Sequence, residues 1–536
     1  MLPTRPPASR TFLSAPPGVR LVNSFERPFD NSVATARTCY SSRGIVTAEE
    51  VAGVGEEEAV RAKRTESRDR IARSIYQAGH HTTLQHASFQ FALSEVSRQF
   101  LWSFLHAHPF YNSEQVSQRY VEVKEGSFAV PALEGEALSV YRSTCEGLTA
   151  DYFRLIEVLE RPVEAALRRR FPRRAGSKRE ARDVQKKSQE AARYVLPLAT
   201  HAYLYHTVSG LTLLRYHRLC EQHDAPAETR LVVGRMVEEL LARDPAYAAI
   251  LEEPIPLGET PEARFYEEAG GPPSEPVRRA FVEEFDRDLG GRTSKLVDRK
   301  ARNEETVAQA VRDVLGLPRT ALSDDDALLL VLDPARNALL GENMNVTTHG
   351  KLSRALFHAS WTFRKRISHT ADSQDQRHRM TPAARPLLFA YMRGEPDFVV
   401  PGAVEGDGAA SLLFRASMER AWAGVERLRA LGVAPEWCAY LLPNAVAVRF
   451  TESSDLLNLH HKMKMRLCWN AQEEIWKASR DEAEQVLAAD PRIGRWLLPP
   501  CGIRARSGAR PICPEGDRYC GVPVWRMSLE EQARAV

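Results

Sequence analysis

At 536 residues the chain is too long for one hydrophobic core and calls for two or three domains. Lys and Arg number 73 against 70 Asp and Glu, a formal charge of +3 that argues against wholesale polyanion binding. With 43% hydrophobic and 27% charged residues, eight cysteines and no apolar run of membrane-spanning length, it is expected to be a cytoplasmic globular protein. A membrane protein, a secreted disulfide scaffold and a disordered hub are excluded.

Residues 1–20 are rich in Pro, Arg and Ser and read as a disordered arm. From Val19 the run VRLVNSF predicts a strand, and residues 61–78 and 92–106 predict helices. A long helix is expected over 138–170. The basic run 168–187 fits a solvated helix end as well as a polyanion site. Strand-like alternation surrounds Pro197, from Tyr194 onward, and a helix carries Arg218-Leu219-Cys220. Pro/Gly clusters over 251–325 predict a helical linker. Residues 327–332, the strongest apolar run, predict a buried strand at most.

The early order then recurs. Ser97-Arg98 matches Ser353-Arg354, Gln118-Arg119-Tyr120 matches Gln376-Arg377-His378, and Leu196-Pro197 matches Leu442-Pro443. Arg218-Leu219-Cys220 matches Arg466-Leu467-Cys468, and Asp244-Pro245 matches Asp490-Pro491. Five matches in one order predict a divergent tandem duplication. The expected layout is an arm (1–20), a first domain (21–250), a linker (251–325) and a shortened second domain (326–536).

Clustered cations stand out at Arg364, Lys365 and Arg366, with Arg377 eleven residues beyond the last of them. Guanidinium forks with Ser and Gln neighbours suit a phosphate, and a solvated basic helix end fits equally well. His80, His81 and His86 lack the carboxylate or thiolate partners of a zinc motif, and Cys501, Cys513 and Cys520 lack a fourth ligand. No metal is therefore expected. No dinucleotide fingerprint, P-loop or nucleophile elbow is present.

Several strings, taken together, resemble the flavin-dependent thymidylate synthase (ThyX) family. They are His80-His81-Thr82-Thr83-Leu84-Gln85-His86, Ser117-Gln118-Arg119-Tyr120, Arg193-Tyr194-Val195-Leu196-Pro197, and the run from Arg466 through Ala471-Gln472 to Ile475. The cysteine-bearing tail from Pro499 also looks like that of many members. Two copies cover nearly all the chain except the arm and the central linker.

The resemblance implies an α+β fold: two tandem units, each a twisted, mostly antiparallel sheet with long packed helices. It implies reductive methylation of dUMP to dTMP, with the carbon from methylenetetrahydrofolate, the hydride from FAD, and NADPH as reductant. The catalytic arginines would be Arg466 and Arg218, stabilising charge on the uracil ring. Gln115, Ser117, Gln118, Arg119, Arg193, Arg364 and Arg466 would bind dUMP. Thr82, Gln85, Arg364, Lys365, Arg366 and Asn470 would bind FAD, with Arg364-Lys365-Arg366 in the place of the family's Arg-His-Arg string. No nucleic acid or membrane partner is implied.

Departures are present in both copies. The first has His106-Ala107-His108 for Arg-His-Arg; the second has Asp375 in place of the phosphate-binding serine and Ala439 opposite Arg193. The losses are complementary, which predicts sites combined from both halves in a homodimer that forms a pseudo-tetramer. Two alternatives stand beside this reading: a degenerate relative that binds nucleotide or flavin as a regulatory or structural protein, and flavin-dependent methylation of another nucleotide.

Overall fold

The computed structural model describes residues 11–105, 108–221, 224–388, 392, 394–532 and 534. The chain divides into two compact units. Unit 1 holds residues 1–146, 197–272 and 423–441; unit 2 holds 147–196, 273–422 and 442–536. Each unit thus takes one segment from the other half of the sequence.

Unit 1 contains β1 (Gly18–Ser24), β2 (Ser88–Ser97), β3 (Asn112–Gln115) and β4 (His201–Ser209), in the order β1-β2-β4-β3 with every pair antiparallel. Alternation along β2 buries Phe89, Phe91 and Leu93 on one face, against Phe29, Val33, Val232 and Met236. The expected helix 92–106 is therefore half wrong: its first residues complete β2, and only Arg98–Leu105 is helical. A bulge between Leu93 and Val96, with Glu95 at φ 51°, turns the chain from strand to helix. The expected helices over 61–78 and 138–170 are present as Glu58–Gln77 and Gly135–Arg170.

Unit 2 repeats the plan with β5 (Ser294–Arg299), β6 (Ser360–Ser368), β7 (Ala383–Ala384) and β8 (Ala447–Asp455), in the order β5-β6-β8-β7. The α+β expectation of two antiparallel sheets with long helices holds. Residues 251–325, expected as a linker, supply β5 and the helix Asn303–Leu315, whose Val307 and Val311 enter the second core. Residues 327–332 are the end of a helix, Asp324–Leu332, not a strand. Ser323 caps it, and Asp324, Asp325 and Asp326 complement the dipole of its first turn.

Two further expectations change. The strand placed from Tyr194 begins only at His201, because Arg193–Val195 form a 3-10 turn after the helix Lys178–Ala192. The arm is ordered from Thr11: Phe12 is buried, and Leu13 donates its backbone N–H to Val130 O at 2.7 Å. Residues 1–10 lie outside the described set.

Candidate functional site

One buried carboxylate in each unit fixes how the two copies correspond. In unit 1, Glu228 accepts from Ser97 N and Oγ and from the Tyr440 hydroxyl. In unit 2, Glu474 accepts from Ser368 N and Oγ and from the Tyr194 hydroxyl. Ser97 and Ser368 each go on to cap the following helix, accepting from Phe100 N and Ala371 N. The backbone agrees: Ala199 N donates to Tyr440 O in unit 1, and Ala445 N to Tyr194 O in unit 2, at 2.9 and 2.8 Å.

This correspondence replaces the expected one. Ser97 pairs with Ser368, not with Ser353, which sits in the 3-10 turn Leu352–His358 before β6. Counting nine to eleven residues onward, His106-Ala107-His108 falls opposite Arg377-His378-Arg379. The arginine-rich string of the second copy is therefore 377–379, and the assignment of that role to Arg364-Lys365-Arg366 is incorrect. His106 and Ala107 lie outside the described residues. Twenty residues beyond the two serines, Ser117 falls opposite Leu388, so the serine of the Ser117–Tyr120 motif has no counterpart in unit 2.

Arg364, Lys365 and Arg366 lie on β6, not after a helix, and alternate between its faces. Arg364 stacks over Phe285 and pairs with Asp288 of the helix Glu275–Leu289. Arg366 meets Asp286 and Asp397. Lys365 is wholly buried, with Nζ 3.0 Å from Asp375, 2.8 Å from Glu452 and 2.7 Å from Glu482. Lys462 joins the same carboxylates, lying 3.1 Å from Asp375. Two lysines thus share three carboxylates in a closed network, and Lys365 cannot reach a ligand. Burial and the neighbouring Asp375 push the Glu452 carboxyl up to about 7. Asp375 belongs to this network and does not replace a phosphate-binding serine. Unit 1 fills the equivalent positions with Phe104, His206, Tyr216 and Met236, an apolar and aromatic cluster.

Unit 2 gathers a second, more open cluster. Arg193 Nη2 donates to Gln472 Oε1 at 2.7 Å, and Gln374 donates to the same oxygen. Gln472 in turn donates to the Tyr194 hydroxyl, which donates to Glu474. Arg466 donates Nε–H to His378 Nε2 at 2.8 Å and Nη2 to Gln374 O at 2.5 Å. Burial, then the Arg466 and Lys462 cations, hold the His378 imidazole well below its usual range, so it is neutral. Arg377 and Arg379, on either side of it, have exposed side chains. Two of the expected residues, Arg193 and Arg466, are thereby brought together. Arg377 stands out in the sequence only as an outlying cation of the 364–366 cluster, and His378, Arg379, Gln374, Gln472 and Tyr194 are not expected in a site, although the string Arg-His-Arg stands plainly there.

The other expected residues are dispersed. Asn470 donates to Arg518 O in the chain's tail. In unit 1, Ser117 Oγ accepts from Arg119 N at 3.3 Å, Gln118 is buried, and Arg119 lies over the Tyr120 ring. Gln115, on β3, accepts from Arg98 at 3.0 Å. Arg218, matched to Arg466 by motif, falls opposite Lys464 by the count that pairs Tyr216 with Lys462 and Glu228 with Glu474, and is tied to Glu252 at 3.1 Å and to Glu253 O. Thr82 and Gln85 are exposed on the 3-10 turn His81–Gln85, beside Thr83, whose buried hydroxyl has no partner among the described residues.

Among the described residues no group of His, Cys, Asp and Glu is arranged to hold a metal ion, and all eight cysteines are free. No helix there is long and apolar enough to cross a membrane.

Comparison with known proteins agrees with this duplicated architecture. The family described as thymidylate synthase complementing protein matches residues 20–246 and 295–492, so the second match takes in all of β5 but its first residue. A flavin-dependent thymidylate synthase of Clostridium tetani is 26% identical over 227 residues, covering 41% of this chain and 81% of the relative. Proteins of the same name from Mycobacterium sp. (strain JLS) and Mycobacterium tuberculosis are 29% and 27% identical, over 35% and 34% of this chain and 72% and 68% of their own length. With both segments matched, the chain belongs to the thymidylate synthase complementing protein family, the family of the flavin-dependent thymidylate synthases.

Proposed function

We propose that the chain is a thymidylate synthase-type enzyme that methylates dUMP reductively and grips the nucleotide through the arginines of unit 2. The observation that carries this is the convergence of Arg193, Arg466 and Gln374 on one hydrogen-bonded frame beside Arg377 and Arg379. Guanidinium groups fixed by buried amides are preorganised for an anion and need little rearrangement when it arrives. Arg466, held by His378 and Gln374 O, is the group we assign to disperse negative charge on the uracil ring. Arg193, with Arg377, is assigned to the phosphate.

Unit 1 carries the complementary set: Ser117, Gln118 and Arg119 for the nucleotide and Thr82 and Gln85 for FAD. The Thr83 hydroxyl beside Thr82, without a partner among the described residues, supports a ligand at that turn. Arg364, Lys365 and Asn470, engaged by Asp288, by the buried carboxylates and by Arg518 O, do not suit FAD. Reduced FAD would supply the hydride, methylenetetrahydrofolate the carbon and NADPH the reducing equivalents. In this reading two chains pair as a pseudo-tetramer with one competent site per chain.

A second reading has its own support. Arg218 is tied down by Glu252 and Glu253, and Ala439 stands opposite Arg193, so unit 1 has lost its own arginine grip. A protein that binds nucleotide without turnover would tolerate that loss.

The test is flavin absorbance of the purified chain, followed by dUMP titration and dUMP-dependent tritium release. Bound FAD perturbed by one dUMP per chain, with tritium release, supports the enzyme. Nucleotide binding without flavin uptake supports the second reading, and no nucleotide binding removes both.

A further inference from the structure

The two sheets bury one face alike and treat the other differently. In unit 2 the helix Glu275–Leu289 lies across the outer face, with Val282, Phe285 and Leu289 buried. Its acids meet the cations of the strands: Asp286 pairs with Arg449 at 2.7 Å, Asp288 pairs with Arg364, and Lys295 Nζ donates to Asp288 O. The Arg449 side chain, on β8, is wholly enclosed.

The outer face of unit 1 is open among the described residues. Counting on from Ala199 and Ala445, Tyr203 stands in the place of Arg449, and Tyr205 in that of Thr451. Both tyrosines lie on β4, 56% and 53% exposed, and they border a concavity of about 700 Å³ lined also by Val19, Ala92 and Val116. A contiguous exposed surface of this kind marks an interaction site.

The strand register ties four residues into one row across this face. Arg20 on β1 is opposite Ala92 on β2, Ala92 is opposite Tyr205 on β4, and Tyr205 is opposite Glu114 on β3. The matching row of unit 2 runs Lys295, Arg364, Thr451, Ala384. That row holds two cations and no acid, and the acid-bearing helix Glu275–Leu289 covers it. The row of unit 1 runs cation, small, aromatic, anion. Turned end for end, the same row is its complement in both size and charge.

We propose that unit 1 pairs through this face with unit 1 of a second copy of the chain. A two-fold axis through the centre of the row sets each Tyr205 on the partner's Ala92 and each Arg20 against the partner's Glu114. The ring-on-methyl contacts supply apolar burial, and the two charge pairs fix the register of the faces. The helix Glu275–Leu289 keeps unit 2 out of the same contact, so pairing by this surface stops at two chains. The pairing rests on the function proposed above only for the number of chains.

The test is sedimentation equilibrium of the whole chain and of surface variants whose circular dichroism matches wild type. Wild type should sediment at twice the chain mass. Ala92→Arg introduces the residue type that unit 2 already carries at position 364, and it should raise the dimer dissociation constant about ten-fold or more. Arg20→Glu and Glu114→Arg should each weaken the homodimer to a similar degree, since each sets like charges opposite one another twice. Mixed in equal amounts, these two variants should form a heterodimer at close to wild-type affinity, because every facing pair is then opposite in sign. A monomeric wild type overturns the proposal. So does a dimer that Ala92→Arg leaves intact, or charge reversals without effect or without rescue on mixing. Flavin uptake is read separately, and a dimer with these properties that takes up no FAD would overturn the enzyme reading alone.

Discussion

Arg466 donates its Nε–H to His378 Nε2 across 2.8 Å, which leaves His378 neutral with its own proton on Nδ1. The imidazole thus serves as a fixed acceptor that aims the guanidinium. Replacing it by alanine should weaken dUMP binding by roughly ten-fold, about 1.4 kcal/mol, in a calorimetric titration. Arg218→Ala, in unit 1, where that arginine is tied to Glu252, should leave that affinity unchanged. An equal loss from both would show that the two units bind alike. Because burial and nearby cations keep His378 neutral, affinity should show no inflection from it between about pH 6 and 8.

Tyr194 and Tyr440 occupy equivalent places but unequal surroundings. Each donates to a buried glutamate, so Tyr194→Phe and Tyr440→Phe should each cost about 1–2 kcal/mol of stability in denaturant titrations. Only Tyr194 also accepts from Gln472, which holds Arg193. Nucleotide affinity should therefore fall in Tyr194→Phe and stay constant in Tyr440→Phe.

The network around Lys365 separates burial from binding. Lys365→Met leaves Asp375, Glu452 and Glu482 sharing one lysine, and should cost about 3–5 kcal/mol. Arg364, one residue earlier but partly exposed, should cost less than about 1 kcal/mol when changed to Ala. Comparable losses of melting temperature would contradict the buried placement of Lys365.

Glu228 should leave a signature in the pH dependence of stability. Burial pushes its carboxyl from 4.5 up to about 7, so the folded state keeps the proton longer than the unfolded chain does. The stabilisation is complete below pH 4.5 and is lost as the pH rises to about 7, a change on the order of 3 kcal/mol. Burial drives His206 the other way, down to about 3, which destabilises the fold as pH falls below 6.5 and masks part of the effect. The clean measurement is the difference between wild type and Glu228→Gln. Relative to the variant, wild type should lose stability between pH 4.5 and 7, and a flat difference would place the carboxyl elsewhere.

Much of the duplication was legible because each copy repeats short strings in one order, and helix periodicity marked 58–77 and 135–170 well. The mistaken pairing of Ser97 with Ser353 has a specific cause. The bulge at Glu95 and unequal turns before the two sheets shift the spacing, and letter matching has no anchor across such shifts. The bonds of Ser97 to Glu228 and Ser368 to Glu474 supply that anchor. β5 was hidden for a similar reason: Ser294–Arg299 is an edge strand with three exposed residues and little apolar alternation.

The sequence by itself determined the family, the two-sheet α+β plan and the chemical character of the arginine-rich segments, since these depend on residue type and local period. Tertiary structure alone decided which of those arginines are available. Lys365 and Arg466 are both cations near a motif, and nothing in one dimension says that the first is enclosed by three carboxylates while the second rests on a histidine in a more open cluster. Nor could a string show that 147–196 belongs to unit 2, which is what brings Arg193 to Gln472. Desolvation and long-range hydrogen bonds set those outcomes, and both depend on which distant residues fold against one another.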